Sequence, residues 1–134
     1  MVEFALLLIP LLILLGGIID FGWVFSNKVI ANNASREAAR FAAMNYYKVD
    51  QIIDGTTYTY DLFVEDVKEE AEERIPDSIT PTITVDPTKV VNGDKSIEVK
   101  VQWNTEVFMF VYSNVLNPFP IESKTIMKTE RSIP

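Results

Sequence analysis

The sequence predicts an α+β chain: a long N-terminal hydrophobic α-helix bearing a small head, the head made of one short helix and a three- or four-stranded antiparallel β-sheet. Three observations predict it. The sixteen residues from Phe4 to Ile19 carry no charge, although charged residues make up 23% of the 134-residue chain. A helical spacing of small residues then continues to Tyr47. Beyond it come a charged amphipathic stretch and several short runs that alternate apolar and polar residues, the pattern of half-buried strands.

Taken to Phe25, the apolar run is 22 residues interrupted only by Asp20. As a helix it would be about 33 Å long, against a hydrocarbon core of roughly 30 Å. No basic residue precedes the run and no small-residue site closes it, which argues against a cleavable signal peptide. Its apolar side chains go all the way round, which argues against the amphipathic helix of a soluble domain. We therefore expect residues 1–25 to span a membrane or to pack among copies of themselves. Residues 26–47 continue the rod as a stalk, and residues 48–134 form the head.

Within the rod, Pro10 and the Gly16-Gly17 pair predict a kink or a locally melted turn. Glu3 and Asp20 sit at the two ends of the run, where a carboxylate beside hydrocarbon is costly. Glu3 has two readings. It caps the helix at headgroup level, favoured there by the macrodipole; or it is buried in an assembly and paired with a cation, most obviously an α-amino group. Farther along, Ala31, Ala34, Ala38 and Ala42, with Ser35, Ala39 and Ala43, make a face of small side chains. Such a face lets helices approach closely, and it is expected to pack rod against rod.

In the head, residues 48–60 read as a loop turning at Asp54-Gly55. Residues 61–75 read as a helix, with Leu62, Phe63, Val67, Ala71 and Ile75 at helical spacing and Pro76 ending it. Residues 79–85, 96–101 and 121–128 alternate as strands, and Asn92-Gly93-Asp94 marks a hairpin turn between the first two. The apolar stretch 104–120 fits either an edge strand or a packed loop. Eight acids and two bases lie between Asp61 and Asp77, so this helix carries most of the net charge of −7. Its acids lack the alternating ligands and glycine of a calcium loop and read as a solvated face.

Composition removes most chemistries. Histidine and cysteine are absent, which excludes disulfides, thiolate nucleophiles, the usual zinc sites and Ser–His catalysis. Ser35, Ser78 and Ser96 have no histidine base, and there is no glycine-rich phosphate loop, so no catalytic residue, cofactor or metal is expected. A pI near 4.5 gives no basic footprint for nucleic acid. Asn33-Ala34-Ser35 forms a sequon by chance inside a helix, and Thr56, Thr57 and Thr59 are better placed for surface sugar. The rod's aromatic residues read as packing and interfacial anchors rather than a conducting stack.

The strings VEFALLLIPLLILLGGIIDFGWVF and NNASREAARFAA resemble the N-terminal signature of the TadE-like family of tight-adherence (Tad, or Flp-type) pilins and pseudopilins. Val2 to Leu6, Pro10, Asp20-Phe21-Gly22 and Ala34 to Ala43 match in residue and spacing, and Ile121 to Glu130 weakly resembles the family's closing strand. The resemblance implies a type IV pilin-like architecture and chains that polymerise through their N-terminal helices into a pilus on the cell surface. Before assembly the chain would sit in the cytoplasmic membrane, handled there by the pilus assembly machinery. The expected partners are then copies of itself in a helical homopolymer, that machinery, and the membrane, with no nucleic acid. Filament assembly would involve Glu3, Phe4, Pro10, Gly16, Gly17, Asp20, Ala31, Ala34, Ala38 and Ala42.

The family's leader is cut by a prepilin peptidase, and Met1 is the candidate processing point of a chain that reads as already processed. One departure is that pilins carry the conserved glutamate fifth, and here it stands third. Lys28, Arg36 and Arg40 would place the head inside by the positive-inside rule, whereas the resemblance implies the outside. Two alternatives stand beside a self-assembling subunit: a minor pseudopilin that primes or caps a Flp-type pilus, and a single-pass membrane-anchored protein that binds something at the surface.

Overall fold

The computed structural model describes residues 2–53, 55–91, 94–108 and 118–129. Helix α1 runs Val2–Asn45 and closes with a 3-10 turn at Tyr46–Lys48. At about 1.5 Å per residue it is a rod of roughly 66 Å. The helix passes through Pro10 and Gly16-Gly17 without interruption, so the local melting expected there is not found. A proline removes a single main-chain donor, and the bonds on either side of it suffice to hold the turn.

A short ribbon follows, β1 (Ile52–Ile53) against β2 (Thr56–Thr57), where only a loop was expected. Gly55 turns it at φ 80°, a conformation that suits a residue without Cβ. Below the ribbon, Asp50 donates its N–H to the Tyr58 carbonyl at 2.9 Å and Tyr58 donates to that of Gln51 at 2.8 Å. Helix α2 (Tyr60–Glu72) starts at Thr59, whose hydroxyl caps the Leu62 N–H, and buries Phe63, Val67 and Ala71. Its helical bonds stop short of Ile75, although Ile75 is still buried in the core.

Strands β3 (Thr82–Val91), β4 (Asp94–Thr105) and β5 (Phe119–Lys128) form one antiparallel sheet in that order. β3 begins later than expected and runs farther. Pro81 withholds a donor at its start, and the strand survives Pro87 through a bulge, two residues standing opposite Ile97 between the pairs Asp86–Glu98 and Lys89–Ser96. Asp86 stabilises the bulge by accepting from the Thr88 N–H at 2.9 Å. The expected hairpin turn at Asn92-Gly93-Asp94 lies mostly outside the described residues, although Val91 and Asp94 pair across it. Of the stretch 104–120, residues 109–117 also lie outside them; its two ends belong to β4 and β5.

The sheet alternates cleanly. Ile97, Val99, Val101 and Trp103 of β4 and Ile121 of β5 turn inward onto α1. Outward, Lys100 pairs with Glu122 at 3.2 Å and Lys124 with Glu98 at 3.0 Å, diagonally across the strands. One core thus joins the second half of α1, α2 and the inner face of the sheet.

Tyr58 ties the segment before α2 to the helix by donating its hydroxyl to Asp66. Burial first, then the hydrogen bond to Asp66 and its charge, pushes the Tyr58 hydroxyl well above the ordinary 10.0. On raising pH the unfolded chain loses this proton first, so the contact's stabilisation is complete below about pH 10 and lost progressively above it. The stability difference between the native chain and Tyr58→Phe, measured by urea unfolding, is expected to hold steady up to about pH 9 and to shrink above about pH 10. A constant difference would mean that the hydroxyl proton is not coupled to folding.

Candidate functional site

The candidate site is the uncovered part of α1 and its junction with the head. Between Phe4 and Ile19 almost every large side chain stands free: Phe4 is 72% exposed and Ile19 68%. Among the described residues this is the one helix long and apolar enough to cross a membrane. Glu3 lies in its first turn, exposed, and Pro10, Gly16 and Gly17 lie within the free segment. Met1 lies outside the described residues.

Among the described residues, the hydrogen bonds between head and rod begin at Asp20. This carboxylate is only 6% exposed and accepts the Phe108 N–H at 2.9 Å, just beyond the end of β4. Asp20 is therefore a tie between rod and head. One turn on, the Trp23 indole donates to the Thr105 hydroxyl at 3.0 Å, and its ring meets Phe108 edge-on at 6.0 Å. Asn27, also buried, donates to the Trp23 carbonyl at 2.9 Å and accepts from the Trp103 indole at 3.3 Å. Lys28 donates to the Glu122 carbonyl.

The seam continues upward. Ser123 of β5 donates to the Asn32 side chain at 2.6 Å, and the fully buried Ser35 hydroxyl lies 2.9 Å from both Ser123 and Thr125. A typical hydrogen bond of this kind contributes about 0.5–1.5 kcal/mol net, but leaving a buried partner unsatisfied costs about 1–3 kcal/mol. The seam therefore fixes where along the rod the sheet sits. Sequence reasoning missed Trp23, Asn27, Asn32 and Trp103 as a group. The available signal was periodicity: Asp20, Asn27, Ala31, Ala34, Ala38 and Ala42 fall on one helical face, so the polar members share the small-residue stripe.

That stripe is occupied. Ala31, Ala34, Ala38 and Ala42 have no exposed surface, and neither do Ser35 and Ala39. They face the chain's own sheet and α2, whereas the spacing suggested a neighbouring rod. The small side chains let the sheet come down onto the helix, while the segment before Asp20 and the far side of the stalk stay uncovered by the head.

Two aromatic residues, Phe21 and Phe25, stack at 6.2 Å on the exposed side of the junction. The apolar exterior thus continues past the point where the head begins on the opposite face. Among the described residues no group of acids converges as a metal site.

These features define a class: a chain built as an apolar rod with a small α+β head clamped on its polar half. Residues 1–40 match the model of the TadE-like protein family, the segment that runs from the free rod through the Asp20 junction to the alanine stripe. No curated protein and no solved structure matches the chain.

Proposed function

We propose that the chain is a structural subunit of an extracellular type IV-like pilus of the tight-adherence kind, polymerising through its N-terminal helix and serving in surface attachment. One observation carries the reading: the large side chains of Phe4 to Ile19 are left uncovered by the chain's own head, so something else must cover them. Lipid covers them before assembly and sister rods cover them in the fibre. Hydrocarbon tails are about as apolar as leucine, so the exchange from one to the other requires little apolar free energy. The TadE-like match over residues 1–40 supports the same reading, because it includes that rod. The acidic head faces outward, away from the fibre core.

The free segment also suits a subunit drawn out of a bilayer. Its sixteen residues give about 24 Å of helix, which reaches a hydrocarbon core of roughly 30 Å only if the exposed Phe21 and Phe25 side of the junction enters the interface. The partners are then sister copies, the surrounding bilayer and the machinery that moves the subunit between them.

The test is electron microscopy of fibres sheared from cells, with mass spectrometry of their components. Fibres composed mainly of this chain are the expected result. Traces of it beside a shorter pilin would replace the reading with that of a minor priming or capping subunit. Its absence from fibres, with the chain retained in the membrane fraction, would leave a single-pass surface protein.

A further inference from the structure

We infer that the exposed back of the stalk, bearing Arg36 and Arg40, docks the acidic outer face of α2 from a second copy of this chain. The inference rests on the subunit reading and names a contact within it. It starts from what the head leaves uncovered. Opposite the alanine stripe, Val29, Asn33, Arg36, Arg40 and Met44 recur at three- and four-residue spacing, and all five are exposed. Arg36 has no ion-pair partner among the described residues, and Arg40 meets Glu37 in an exposed pair at 3.6 Å, a geometry that contributes little. In a chain of net charge −7 this is a basic strip on an unpartnered helix face.

The second copy supplies the complement. Asp61, Glu65, Glu69 and Glu72 are exposed on α2 and Glu73 at its C-cap, with one base, Lys68, among them, so the face stays net acidic. Carboxylates at three- and four-residue spacing repel one another along a helix and are relieved by counter-charges. Within one chain α2 packs on the core through Phe63, Val67 and Ala71, so its acidic side faces away from its own α1. The basic strip and the acidic face therefore meet only between copies. Because the two faces are different, the contact is heterologous, and a heterologous contact that does not close into a ring repeats into a filament. Apolar rods slide past one another without a preferred register, whereas charges at fixed positions select one.

The test is fibre yield after shearing, measured for native chain, for Arg36→Glu with Arg40→Glu, and for that pair combined with Glu65→Lys and Glu69→Lys. All four positions are exposed, and subunit abundance in the membrane fraction checks that each variant is made and folded. The charge-reversed stalk is expected to lower fibre yield at least tenfold, and the combined variant to restore most of it. Unchanged yield in the stalk variant overturns the contact while the subunit reading stands. A loss without restoration also overturns it, since the strip would then meet something other than α2. Absence of the native chain from fibres overturns both.

Discussion

Ala38→Leu is expected to loosen the head from its own rod, by about 1–3 kcal/mol or more, before any fibre is considered. Ala38 has no exposed surface and lies in the core that joins α1 to α2 and the inner face of the sheet. A leucine there must push the sheet outward or adopt a strained rotamer. Either response stretches the seam at Ser35, whose hydroxyl sits 2.9 Å from Ser123 and Thr125, and leaves buried polar groups without partners. The measurement is urea unfolding of the detergent-solubilised chain, with Arg36→Leu as the control on the exposed back of the same helix. A large shift for Ala38→Leu and little for Arg36→Leu is the expected pattern. If Ala38→Leu left the subunit's stability intact and disrupted only fibres, the stripe would belong to a subunit interface after all.

That prediction marks where the sequence stops being informative. Periodicity identified the alanine stripe as a buried face, but the spacing of alanines is the same whether a neighbour's rod or the chain's own sheet covers it. The missing information was long-range: which strands return to which helix face. The seam residues carried a partial signal, since Asp20 and Asn27 share the stripe and a buried polar residue needs a fixed partner.

Elements with strong local chemistry were legible. The rod, the apolar spacing of α2, the Gly55 turn and the alternation of β4 and β5 follow from side-chain pattern alone. The ribbon of β1 and β2 was not, because two residues per strand are too few to alternate. The extension of β3 through Pro87 was hidden by the same residue that normally ends a strand, and only pairing to β4 shows the bulge that accommodates it. At Pro10 the helix continues, as the single rod expected of residues 2–47 requires, and only the locally melted turn is absent.

Glu3 carries the prediction with the largest effect on assembly. In the single chain it is exposed in the first turn of α1, with sixteen uncharged residues after it. With the apolar run in a bilayer, a carboxylate at that position lies at headgroup level, where favourable interaction with the helix dipole is worth about 0.3–1 kcal/mol. In a fibre core the same carboxylate would be surrounded by neighbouring rods and would require a cationic partner, such as an α-amino group. Removing one member of a buried pair costs about 3–5 kcal/mol, because the other charge is left unpaired. At about 1.4 kcal/mol per tenfold, that weakens each subunit addition by roughly a hundred- to several-thousand-fold. Glu3→Gln separates the two roles, since it keeps the size and hydrogen bonding of the side chain and removes only the charge. Fibres are expected to disappear in Glu3→Gln and Glu3→Ala, with the subunit still abundant in the membrane fraction, and Glu3→Asp should retain some. Normal fibre yield from Glu3→Gln would reduce Glu3 to a helix cap, and register would then fall to the charges on the stalk and α2.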